Sequence, residues 1–205
     1  MHDRIDPRLR RLLTRLPLAA GLAILLWFAL VGRPWGALVT RASEGWIRAA
    51  ERTKVTRLAF EDGMVVVQRA DLSSRSETPA FSAAPMTANL VLLLALVFAT
   101  PRDLRASAYA ARVAAAFAAL LLTQVLHLSF AVQTLYATQL GAWSVATWPR
   151  WQREVVATGR YFFDIVGKFA VPFVFWALTL RIGEDAEAGK GNAASGKRRR
   201  SKGKG

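Results

Sequence analysis

Five polar residues stand inside otherwise apolar stretches of this chain: Asn89, Gln124, His127, Asp164 and Lys168. A polar side chain among apolar neighbours is costly, which makes each of them a default functional candidate. Their spacing defines the chemistry on offer. Asp164 and Lys168 stand four apart, one helical turn, so carboxylate and ammonium can pair directly. Gln124 and His127, three apart, share a face of one helix. Gathered at one depth, a histidine, a carboxylate and an ammonium can bind an anionic headgroup or shuttle a proton. The competing reading is structural. Pairing lowers the cost of burying Asp164 and Lys168, and Lys168 can snorkel toward water. Asn89, Gln124 and His127 can hydrogen-bond across helices, each bond worth about 1 kcal/mol or less.

The rest of the chain offers no catalytic constellation. Cysteine is absent, which removes thiolate catalysis, disulfides and cysteine metal sites together. Of the two histidines, His2 lies in the N-terminal tail, leaving His127 as the candidate base. No Gly-rich phosphate loop, HExxH helix or GxSxG elbow occurs. The chain therefore reads as non-enzymatic, with no cofactor or metal expected.

The elements that position these residues are set by hydropathy. Residues 16–31 and 113–132 contain no charge, and shorter apolar stretches cover 86–100 and 169–180. They are apolar all round, with no polar face recurring every 3.6 residues, which suits lipid or a deeply buried core. The 205 residues are 53% hydrophobic yet carry a net charge of +14. Apolar spans with basic segments at the membrane face combine both properties. Nucleic-acid binding is the other use of so basic a chain, but the basic residues bracket apolar runs and match no groove-reading pattern.

The expected fold is an α-helical integral membrane protein with four transmembrane helices and a small extracytoplasmic amphipathic helix plus β-hairpin. A basic N-terminus, 1–15, precedes transmembrane helix 1 at 16–32, read as an uncleaved signal anchor because no small-x-small cleavage site follows. The module at 33–80 comes next, then helix 2 at 81–100, a charged turn at 101–112 and helix 3 at 113–132. A Trp-rich loop at 133–160, helix 4 at 161–180 and a disordered basic tail at 181–205 complete the chain. With both termini cytoplasmic, sixteen of the 28 Lys and Arg fall in the 52 residues on that side and eleven in the 76 opposite. Trp35, Trp46, Trp143, Trp148 and Trp151 then form an aromatic belt on the outer side. That makes the lipid bilayer the protein's first partner.

Within the module, residues 34–53 show helical periodicity, with Trp35, Leu38, Val39, Ala42, Trp46, Ile47 and Ala50 on one face. Such a helix lies in the interface plane, continues the first span outward, or packs on its neighbouring loop. Residues 55–60 and 64–68 are rich in β-branched and aromatic types around Asp62-Gly63, which predicts a hairpin. Two strands are marginal alone, so this pair needs a partner surface. Residues 73–85 read as a linker. Trp46, Val65 and Val67 are the candidate contacts for a docking partner, by the helix face or by strand addition at the hairpin edge.

The stretches FSAAPMTANLVLLLALVFATPRDLR and WPRWQREVVATGRYFFDIVGKFAVPFVFWALTLR resemble the exosortase H-associated membrane proteins. The likeness rests on Trp151-Gln152-Arg153-Glu154, on Val171-Pro172 within a helix, and on the apolar run ending at Pro101-Arg102. The order of elements is similar too. The resemblance implies a place beside an exosortase, a membrane-embedded cysteine transpeptidase that processes C-terminal sorting signals. Lacking cysteine, this chain cannot be that enzyme, and the resemblance supplies no catalytic residue. The expected function is a non-catalytic accessory role in sorting C-terminally tagged surface proteins. The alternative is a small membrane carrier or lipid-headgroup-binding protein that uses His127, Asp164 and Lys168.

Overall fold

The computed structural model describes residues 7–51, 55–70, 79–100 and 106–178. Of the charged turn expected at 101–112, residues 101–105 lie outside the described residues, as does the basic tail at 181–205, whereas residues 106–112 already belong to the following helix. Helix α1 (Pro7–Leu26) passes through a π-turn, Trp27–Val31, into α2 (Gly32–Ala50) without a break. Of the three readings for the amphipathic segment, the structure therefore adopts continuation of the first span. Pro34 does not stop the rod. A proline ring meets the carbonyl four residues back, here Leu30, and the widened turn lies at that point. The last helix repeats the device, with a π-turn at Phe163–Gly167 shortly before Pro172.

After α2 come three strands, β1 (Thr56–Glu61), β2 (Met64–Arg69) and β3 (Ala80–Ser82), antiparallel in the order β1-β2-β3. Asp62 and Gly63 both have positive φ, 47° and 80°, which closes the tight β1–β2 turn expected of an Asp-Gly pair. The third strand departs from the sequence reading, in which residues 80–82 belonged to linker and span. Ala and Ser carry little β signal. The strand is held instead by backbone bonds to β2, Val67 N–H to Pro79 O and Ala83 N–H to Gly63 O.

The chain then enters α3 (Ala84–Thr87) and α4 (Asn89–Ala99), which together form one apolar helix. Next are α5 (Ala106–Thr138), α6 (Ala142–Thr147) and α7 (Arg150–Phe162), which continues to Leu178. Side-chain bonds fix the helix directions. Gln124 meets Asn89 near one end of the bundle, while Tyr109 donates to Val97 O and Trp176 to Thr100 Oγ1 near the other. The four long segments therefore alternate in direction. Three of them, Arg10–Ala50, Ser107–Thr138 and Arg150–Leu178, are long and apolar enough to cross a bilayer. Ala84–Ala99 is shorter; at 1.5 Å per residue it reaches about 24 Å against a hydrocarbon core of about 30 Å.

Two cores result. In the bundle, Ala23 of α1 and Trp27 of the π-turn pack on Leu90, Leu93 and Leu94 of α4 and on Ala116 and Leu120 of α5. Around the sheet, Val39 and Ile47 of α2 pack with Leu58, Val65 and Val67 and with Leu128, Val132, Leu135 and Tyr136 of α5. The hairpin thus finds the partner surface it lacks alone. The backbones close tightly at Gly36, where an added Cβ would lie 2.6 Å from the Phe60 ring. Arg69 at the end of β2 lies over both the Tyr136 and Trp143 rings.

The outward surface of the bundle is as apolar as its core. Leu18 and Phe28 are 81% and 83% exposed, and Leu22, Leu25 and Leu30 join them along α1 and the π-turn that follows it. Phe169, Phe173, Val174 and Leu178 do the same on the last helix. Contiguous exposed apolar surface of this extent belongs against lipid. The protein is a membrane protein.

Candidate functional site

Helix α5 is central, and its polar residues look two ways. Trp35 Nε1–H donates to Gln124 Oε1 at 2.6 Å, and Gln124 Nε2–H donates to Asn89 Oδ1 at 2.5 Å. Gln124 and Asn89 are buried. This chain ties α2, α5 and α4 together at the seam between the two cores. Both amide oxygens and the Gln124 amide nitrogen thus find partners on other helices, as buried polar groups require.

His127 faces the last helix instead. A separation of three residues is about 60° around the axis, enough for Gln124 and His127 to meet different neighbours. The sequence reading put the two on one face. They are adjacent, but the five candidates divide into an amide pair and a charged group. In the charged group, Lys168 Nζ donates to Asp164 Oδ1 at 2.9 Å. His127 Nε2 lies 3.2 Å from the same oxygen, out of line for a hydrogen bond. The imidazole stacks on Phe163, ring centroids 5.8 Å apart and planes at 18°. A fourth member joins them: Arg160 Nε approaches Asp164 Oδ2 at 3.6 Å.

The local backbone explains the gathering. Asp164 sits in the π-turn Phe163–Gly167, flanked at four-residue spacing by Arg160 and Lys168. One carboxylate thereby holds two cations from one turn on either side. Gly159 brings this helix close to α5, where an added Cβ would lie 2.5 Å from the Phe130 ring. The side chains of Arg160, Asp164 and Lys168 keep 35%, 31% and 26% of their exposure, whereas His127 keeps 4%. The charged heads are therefore reachable from outside, and the imidazole forms the floor behind them. One carboxylate between two basic side chains leaves a positive site, suited to an anion. No group of three or more His, Cys, Asp or Glu among the described residues could hold a metal ion.

Two participants escaped sequence reasoning. Arg160 falls just outside the span expected at 161–180, although its four-residue spacing from Asp164 is visible in the sequence. Trp35 was assigned to an interfacial belt; its only signal is that a buried indole N–H needs an acceptor.

The three docking candidates separate by burial. Trp46 is 52% exposed on α2. Val65 and Val67 are 1% and 2% exposed, inside the core shared with Leu58, Val39 and α5. They point inward because alternate residues of β2 face the helices and not the solvent. Their contacts are thus with this chain itself. The hairpin edge is also partly occupied. Glu44 Oε2 accepts from Leu58 N–H at 3.2 Å, and Glu51 Oε2 from Thr56 N–H at 3.1 Å. Two glutamates of the helical rod thereby take the outward-facing donors of β1, a common way of blunting an exposed edge.

Searches of curated proteins and of solved structures each found no match. The family model described as exosortase H-associated membrane protein matches residues 6–182 of the 205, a range that includes every described residue. The chain belongs to the exosortase H-associated membrane protein family.

Proposed function

We propose that this protein is a non-catalytic accessory component of the bacterial inner membrane that works beside an exosortase-type transpeptidase. In this reading it crosses the bilayer four times, with both termini cytoplasmic and the sheet module periplasmic. The module docks the transpeptidase or its C-terminally tagged substrate and so supports sorting of surface proteins. The family match over residues 6–182 carries the proposal. The alternating helix directions and the density of Lys and Arg near the termini support the orientation. With Glu44 and Glu51 on the β1 edge, strand addition falls to β3, where Ala80 and Ser82 are exposed. Trp46 is the side-chain anchor on the same module.

The test is co-purification from detergent-solubilised membranes with the exosortase of the same cell. Trp46→Ser is expected to reduce the recovered partner several-fold without lowering this protein's own yield. Val65→Asp combined with Val67→Asp destroys the module's core and should abolish recovery. Undiminished co-purification of that double variant would refute docking through the module.

The gathering of His127, Asp164 and Lys168 on one accessible site favours a second reading, a small carrier or headgroup-binding protein. Under it Lys168→Met abolishes function, whereas an accessory protein loses only yield.

A further inference from the structure

The charge balance of the last helix is uneven. Glu154 is taken by Arg150 at 3.0 Å, so it offers nothing to the cations further along. Among the described residues, Asp164 alone answers both Arg160 and Lys168. One positive charge is left over in apolar surroundings, where an uncompensated ion is costly. The two cations are also arranged for a ligand. Arg160 meets Asp164 through Nε and not through the forked terminal nitrogens that grip a phosphate bidentately. Lys168 bends its head one turn toward Asp164, which brings both charges to nearly one depth.

Beside this charged line runs an apolar one. Tyr161, Ile165 and Phe169 each follow a charged residue by one position and are 65%, 69% and 67% exposed. Four-residue spacing stacks them along the helix, about 100° around from the charges. A positive seat next to an open apolar stripe is complementary to an amphiphile, with an anionic head and a hydrocarbon tail. A free oxyanion would use only the seat.

We infer that Arg160 and Lys168, held by Asp164 above the His127 floor, seat the phosphate of an anionic phospholipid, whose acyl chain lies along Tyr161, Ile165 and Phe169. The lipid comes from the leaflet on the sheet module's side. This rests on the headgroup-binding reading of the same cluster and adds which lipid chemistry it takes and on which face of the helix.

The test uses the full-length chain in detergent micelles, its tryptophan fluorescence followed through thermal unfolding. Phosphatidylglycerol, phosphatidylcholine and inorganic phosphate are titrated separately. Phosphatidylglycerol is expected to raise the unfolding temperature, with the other two giving no comparable rise. Arg160→Gln with Lys168→Gln should shift the phosphatidylglycerol midpoint at least tenfold upward, and Lys168→Arg should keep it within about threefold. If the double variant does not fold, Arg160→Gln alone carries the comparison, with bound lipid counted by native mass spectrometry. An equal response to inorganic phosphate would leave an oxyanion site standing and overturn the phospholipid. An equal response to phosphatidylcholine, or an unchanged midpoint in the variants, would overturn both.

Discussion

Asp164 is the residue on which the charged group depends. It is the common partner of Arg160, Lys168 and His127, so its loss and the loss of one cation are not equivalent. Asp164→Asn leaves two cations without an answering charge, whereas Lys168→Met leaves Arg160 still paired. Removing one partner of a sequestered pair costs more than the pair itself contributes. With about a third of these side chains exposed, the expected penalty for Asp164→Asn is roughly 1–3 kcal/mol, against 1 or less for Lys168→Met. Thermal unfolding in micelles should rank the two in that order; the reverse order would mean that Asp164 is not the organising charge. Much of this was legible in the sequence, because a four-residue spacing on a helix has one geometric meaning. The division between the amide pair and the charged group was not. It depends on which helices flank α5, and no local pattern states that.

The helical rod and the sheet are coupled elements. Gly36 of α2 admits the Phe60 ring of β1 so closely that a methyl group must displace it. Gly36→Ala is therefore expected to destabilise the protein by about 1–3 kcal/mol through overpacking. In a Phe60→Ala background the obstacle is gone, and the same change should be neutral or stabilising by up to about 1 kcal/mol, since alanine suits a helix interior better than glycine. A double-mutant cycle by chemical or thermal unfolding reads the change of sign; additive penalties would show that the ring and glycine are not in contact. The rod and the β1–β2 hairpin were foreseeable from periodicity and from Asp62-Gly63. Strand β3 was not, because Ala80, Phe81 and Ser82 pair on account of β2's open side and not of their own propensity. Likewise Pro34 looks like a stop, and only the π-turn before it makes the continuous rod intelligible.

As a whole, the molecule is a bundle whose rods outgrow the bilayer. Helix α5 has 33 residues, about 50 Å at 1.5 Å per residue, against roughly 30 Å of hydrocarbon. In the proposed arrangement the excess lies at the end where α2, α5 and the sheet share a core, so that the membrane-crossing helices also build the module. Both the accessory role and the phospholipid seat depend on the module standing across the membrane from the termini. Because the chain contains no cysteine, sidedness can be read from single introduced thiols at exposed positions, Arg11→Cys on α1 and Glu61→Cys beside the β1–β2 turn. In intact spheroplasts, a membrane-impermeant maleimide should label Glu61→Cys at once and Arg11→Cys only after permeabilisation. Labelling of both from the outside, or of Arg11→Cys alone, would contradict the arrangement on which the proposed function stands.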